Sequence, residues 1–222
     1  MADGHTQQVP RLDVRVLVLS ASLRRNSLNA QLAGLTGQCI EANGGGVTVR
    51  CLAEFDMPSY DQDVQNEEGF PASADALRLE LEANDAFVIV SPEYNASLPG
   101  SLKNAIDWLS RFHPQPFSER QSLLLSASPS MAGGNRGLWA LRIPLEHLGS
   151  RVYPDMFSLA QAHRAFDDDG SLIDRELHAR LDQTIIAFMD LVEASKHYPC
   201  AKRAWVEYLG ERPDPAIDRV EA

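Results

Sequence analysis

The chain has few of the features that would define a small protein by themselves. Its three cysteines, Cys39, Cys51 and Cys200, lie far apart without a C-x-x-C pair, so neither a disulfide framework nor a zinc site is suggested. No apolar run approaches the roughly 18 residues that span a bilayer, and the N-terminal MADGHTQQVPRLD has no apolar segment of a secretory signal. These absences predict a cytoplasmic protein in a reducing compartment, with residues 1–13 as a disordered leader. Positive charge is scarce as well. With 20 Lys+Arg against 31 Asp+Glu the net charge is −11, which disfavours nucleic acid or an anionic membrane as a partner surface. An anionic ligand must then meet a local cation or a backbone dipole. The six histidines form no H-E-x-x-H pair, and Asp167-Asp168-Asp169-Gly170 lacks the alternating ligands of a calcium loop. No metal is expected, and that acidic segment reads as a turn. Without a G-x-S-x-G elbow, a hydrolase has no support either.

What is present is an alternation of short β-branched apolar runs with longer stretches of helical spacing, the pattern of a parallel α/β sheet. Strands are predicted at Val14–Ser20, Val47–Cys51, Ala86–Val90, Gln121–Ala127 and, briefly, Arg151–Tyr153. Helices are predicted from Ser27 to Ala42, Pro71 to Ala83, Leu98 to Phe112 and Asn135 to Leu148. A last one carries the stripe Leu177, Leu181, Ile185, Phe188 and Val192, with a capping-box signature at Ser171 and Asp174. The polar stretch DMPSYDQDVQNEEGF reads as a long surface loop. Residues 14–194 thus form one domain, and 195–222 a C-terminal extension.

Ligands of an open parallel sheet bind beyond the carboxyl ends of its strands, where the strand order reverses. The first such loop, SASLRRNSLN, offers Ser22, Arg24, Ser27 and Asn29 within eight residues at a helix start. Hydroxyls, an amide, free N–H groups and a directional cation suit a phosphomonoester. A second reading stays open: Ser27 or Asn26 caps the helix and the arginines are solvated. No G-x-x-x-x-G-K-[ST] or G-x-G-x-x-G follows this strand.

The second loop, SPEYNASLPGSLKNAIDW from Ser91 to Trp108, matches the pattern P-E-Y-N-x-S-x-P-G-x-L-K-N-A-I-D-W throughout. With S-x-R-x-x-S-x-N at Ser22, Arg24, Ser27 and Asn29, the chain from about Val14 to Ala194 resembles the NADPH-dependent FMN reductase family. That group holds FMN, quinone, azo-dye and chromate reductases. The resemblance implies a flavodoxin-like three-layer α/β sandwich with a five-stranded parallel sheet in the order 2-1-3-4-5. It implies that Ser22, Arg24, Ser27 and Asn29 hold the FMN phosphate. Pro92, Glu93, Tyr94 and Asn95 would line the isoalloxazine, with backbone N–H groups near its N5 and O4. Ser128 and Gly133, in the loop SASPSMAGGNRG, would approach the flavin edge.

The implied activity is transfer of hydride from NADPH or NADH to FMN and onward to a small acceptor, which is a quinone, azo compound, metal oxyanion or flavin. Hydride transfer needs no side-chain acid or base, so no catalytic side chain is named. Arg111 and Arg136 are candidates for reading a phosphate on the nicotinamide nucleotide, and a solvated or interface role is equally open to them. Pro129 stands where the family often has glycine, and Ala21-Ser22 where its first strand usually ends in Gly-Ser. Pro129 motivates an alternative, a non-enzymatic FMN-binding electron carrier. A homodimer or homotetramer is expected, with the 56–70 loop and the Leu98–Phe112 helix in contact and the tail docking through Trp205 and Tyr208.

Overall fold

Three segments buried along almost their whole length become the centre of one sheet. In the computed structural model, which describes residues 14–197, these are β1 (Arg15–Ser20), β3 (Ala86–Val90) and β4 (Gln121–Ala127). Beside β1 lies β2 (Gly46–Cys51), and beside β4 lies β5 (Arg151–Val152), giving the parallel order β2-β1-β3-β4-β5. A sixth strand, β6 (Phe157–Leu159), pairs with the far end of β4, Ser126 opposite Ser158. The order is the one expected. The sixth strand is an addition: its three residues are too few to register as a periodic run. β2 is half-exposed along its length, as an edge strand must be, and its side chains alternate less cleanly than those of the buried strands.

Alternation along the strands divides the interior in two. Val16, Val18, Val88, Val90, Leu123 and Leu125 face one layer, made of α1 (Leu28–Ala42) and α6 (Arg175–His197). Leu17, Leu19, Phe87, Ile89 and Leu124 face the other, made of α3 (Ala72–Ala83), α4 (Gly100–Leu109) and α5 (Asn135–His147). The predicted stripe on α6 is confirmed at Leu181, Ile185, Phe188 and Val192, all fully buried. Each such side chain contributes about 1.5–3 kcal/mol by leaving water. Cys39 of α1 lies in the same layer, and burial, with Asp182 nearby, pushes its thiol up to about 11. It is therefore a packing residue.

Two local expectations are corrected. The cap of α6 is Asp174, whose carboxylate accepts from the N–H groups of Glu176 and Leu177. Ser171 instead donates its own N–H to Asp167, closing the 167–171 turn. The polar stretch after β2 contains a further helix, α2 (Gln62–Glu68), capped by Asp61. None of its residues is buried, so it carries no apolar period by which it could be read.

The motif residues of α4 have a structural task. Asn104 accepts from the Tyr60 N–H at 2.8 Å and donates to the Pro58 carbonyl at 2.9 Å. The indole of Trp108 donates to the same carbonyl at 2.8 Å. The loop before α2 is thereby fixed across α4, and a groove of about 690 Å³ opens between them, lined by Leu23, Phe55, Met57, Tyr60 and Lys103.

Candidate cofactor site

The strand order reverses between β1 and β3, and the loops that follow β1, β3 and β4 meet there. The first runs from Ser22 to Ser27. Both serines are buried, at 2% and 4% exposed. Ser22 Oγ accepts from the Arg24 N–H at 3.4 Å and Ser27 Oγ from the Asn29 N–H at 3.1 Å. Ser27 is thus the N-cap of α1, as one of the two sequence readings held. Capping uses its lone pair. The hydroxyl protons of both serines, and the N–H groups of Leu23, Arg25 and Asn26, meet no acceptor among the described residues. Arg24 is exposed and makes no ion pair among the described residues. Hydroxyl donors, free amides and a guanidinium at the start of a 15-residue helix form a set that fits a dianionic phosphate.

Asn29 has a different task from the one expected. Its side-chain amide donates to the Ala127 carbonyl at 2.9 Å, and its amide oxygen accepts from the Ala127 N–H at 2.9 Å. It is a buried rivet between α1 and the end of β4, and it sets the distance between the first and third loops. The sequence motif placed Asn29 correctly near the site without revealing that its partner is backbone 98 residues away.

After β3, Ser91 and Pro92 are buried and the chain turns back on itself. Tyr94 and Ser97 exchange two backbone hydrogen bonds, each 3.0 Å. Between them Asn95 and Ala96 have φ of 52° and 61°. This is the left-handed pair of a tight hairpin turn, which ordinarily takes Asn-Gly. Alanine there costs roughly 1–2 kcal/mol. The turn leaves the Asn95 and Ala96 N–H groups without an acceptor among the described residues, while the Tyr94 N–H is engaged by Ser97. Donors for a ring edge therefore come from Asn95 and Ala96. The Tyr94 ring is half-exposed.

Glu93 departs from its expected place beside the ligand. Its carboxylate points away to the start of α5, accepting from the Arg136 N–H at 3.0 Å and the Gly137 N–H at 3.2 Å. Arg136 adds Nε at 2.8 Å and Nη2 at 2.5 Å. Burial opposes the charge, yet the Arg136 guanidinium and the two N–H groups hold the Glu93 carboxyl below its usual range. Arg136 is accordingly engaged within its own chain, and the Arg111 guanidinium lies 5.9 Å from the centre of the Tyr60 ring.

In the third loop Ser128 is an anchor. Its hydroxyl bonds Ser130, and its backbone bonds Leu159 and Ala162. Gly133 and Gly134, with φ of 62° and 87°, press against the chain itself. A Cβ on Gly133 would stand 3.0 Å from the backbone of Ser158 and Ala160, and one on Gly134 would collide with Ser126 Oγ. Close packing, rather than flexibility toward a ligand, thus requires both glycines. Pro129 and Met131 are exposed at the loop's tip. The hydroxyls of Ser126 and Ser158, buried beneath this turn, have no hydrogen-bond partner among the described residues.

This arrangement defines a flavodoxin-like α/β protein whose loops after β1, β3 and β4 meet at the sheet's switch point. Residues 14–164 match the model of the family described as NADPH-dependent FMN reductase, and the chain belongs to that family. It is an oxidoreductase of a family whose cofactor is FMN and whose reductant is NAD(P)H. Among relatives, a quinone reductase of Escherichia coli strain K12 is 36% identical over 186 residues, 82% of this chain and 97% of its own. An NAD(P)H-dependent FMN reductase of Pseudomonas aeruginosa is 35% identical over 178 residues, 79% of this chain and 93% of its own. Among solved structures, the flavoenzyme FerB of Paracoccus denitrificans, an NAD(P)H:(acceptor) oxidoreductase, superposes with a TM-score of 0.71 at 30% identity. That superposition covers 82% of this chain and 98% of FerB.

Replacing Asn29 with alanine strands a buried N–H and a buried carbonyl of Ala127, which costs about 1–3 kcal/mol for each group left unpaired. Denaturant melts should show a loss of this size. FMN and riboflavin affinities should fall by the same factor, since the side chain is held by backbone and not by phosphate. A loss confined to FMN would return Asn29 to the phosphate.

Proposed function

We propose that this protein is an NAD(P)H-dependent reductase that holds FMN noncovalently and delivers electrons to a quinone. The observation that carries the site assignment is the donor set of Ser22, Arg24 and Ser27, unused among the described residues, at the start of α1 and at the carboxyl end of the strand that pairs with β3. Ser22, Arg24 and Ser27 would hold the phosphate. Pro92, Tyr94 and Asn95 would form one wall for the ring, with Ser128 and Gly133 shaping the loop on its other side. When bound, FMN supplies the two-electron chemistry between nicotinamide and acceptor. The protein's part is to bind, orient and leave one face accessible, because proximity rather than a side-chain acid or base lowers the barrier. The quinone is favoured over an azo compound or a metal oxyanion by two relatives, the quinone reductase of Escherichia coli and a probable NADPH:quinone oxidoreductase of Oryza sativa, 36% and 34% identical.

A second copy is proposed to complete the groove beside α4. Phe70, partly exposed, stacks on Phe112 with ring centres 3.9 Å apart, and the half-buried Tyr60 packs edge-on to the buried Trp108 beneath. The expected contact through Trp205 and Tyr208 lies outside the described residues.

The purified protein should be yellow or take up FMN. NADPH or NADH added without oxygen should bleach it within seconds, and a quinone should restore the colour. Flavin that resists both nucleotides yet bleaches with dithionite would make the protein a carrier. Arg24→Ala should weaken FMN about ten- to hundredfold and leave riboflavin unchanged, since a charge-assisted contact contributes about 1.5–3 kcal/mol. Equal losses for the two flavins would remove Arg24 from the phosphate site. Light scattering at micromolar concentration should give at least a dimer, and a monomer mass would count against the shared groove.

A further inference from the structure

The start of α5 has no side chain of its own to cap it. Its N-cap is Gly134, which has no side-chain hydrogen bond to offer, and its first turn carries no acidic residue. The missing acceptor comes from another loop: the Glu93 carboxylate, side chain 8% exposed, takes the Arg136 and Gly137 N–H groups and pairs with the Arg136 guanidinium. Glu93 sits immediately before the Tyr94–Ser97 turn. The carboxylate therefore joins the turn after β3 to the helix that follows the loop after β4.

Gly137 completes the joint from the other side. A Cβ at this position would lie 3.1 Å from Glu93 Cα and Cβ and from the Ser97 carbonyl oxygen, so both ends of the turn rest on the bare face of α5. At its far flank the turn is held by Leu98, which packs against the core that α4 covers. Between these anchors stand Asn95 and Ala96 in their left-handed conformations. A strained turn of that kind persists when its surroundings over-determine it.

We propose that Glu93 is a positioning residue for the flavin ring: acting through the turn, it fixes the Asn95 and Ala96 N–H groups relative to the loop after β4. This rests on the reading of the site as an FMN site, and it assigns to Glu93 no contact with substrate or cofactor. The role depends on accepting two N–H bonds in a fixed place. A neutral amide can do so, whereas a methyl group cannot. Because the ring and not the phosphate is positioned, FMN and riboflavin must respond alike.

The test is titration of wild-type protein, Glu93→Ala, Glu93→Gln and Gly137→Ala with FMN and with riboflavin, read by quenching of flavin fluorescence, with thermal melts alongside. Glu93→Ala should weaken both flavins by the same factor, about tenfold or more, and Glu93→Gln should restore affinity to within about threefold of wild type. Gly137→Ala keeps every hydrogen-bond donor but sets a Cβ 3.1 Å from both ends of the turn, so it should shift the turn and weaken both flavins by the same factor. Unchanged flavin affinity in Glu93→Ala or Gly137→Ala overturns the proposal. So does a loss confined to FMN, or a Glu93→Gln variant as weak as Glu93→Ala. Wild-type protein that binds neither flavin would overturn the FMN reading itself, a failure seen before any variant is compared.

Discussion

Strands as apolar as β1, β3 and β4 must be covered on both faces, and covering a parallel sheet on both faces requires helical crossovers. From that constraint the rest follows. Each crossover returns the chain to the same end of the sheet, so the loops after β1, β3 and β4 gather at the carboxyl ends. Reversal of direction between β1 and β3 separates the first two loops to opposite layers and opens the crevice between them.

Assembling a site from three loops requires that they be held at fixed separations, and here side chains bonded to distant backbone do so. Asn29 ties the α1 start to the end of β4, Glu93 ties the β3 turn to α5, and Asn104 with Trp108 ties the 57–60 segment to α4. All four belong to recognisable sequence motifs. Their side chains are spent on the backbone of other segments, whereas the hydroxyl protons of Ser22 and Ser27 and the turn amides meet no acceptor among the described residues. In a chain of net charge −11, the Arg24 and Arg25 guanidiniums and a few N–H groups at the start of α1 make a local concentration of positive potential.

The strands, the crossover helices and the α6 stripe were legible because they are written in local periodicity, whereas the order 2-1-3-4-5 came from the family resemblance of the loop motifs. Short or all-polar elements were not: β6 has three residues and α2 has no buried face. Within the site, the loops were legible from Ser22, Arg24, Ser27 and the P-E-Y-N stretch, whereas the direction of each side chain was not. Asn29 and Glu93 were read as ligand contacts, and nothing local marks them as structural ties, since their partners are 98 and 43 or 44 residues away. Gly137 carried the one available signal for the α5 joint, a glycine inside a helical pattern, which marks close approach of another chain segment.

Hydrogen–deuterium exchange with and without FMN tests the assignment of the site most directly. FMN should slow exchange in peptides covering 22–28, 92–97 and 128–136, and leave the buried face of α6 from Leu181 to Val192 unchanged. Absence of protection at 22–28, or protection confined to segments away from these three loops, would contradict the account.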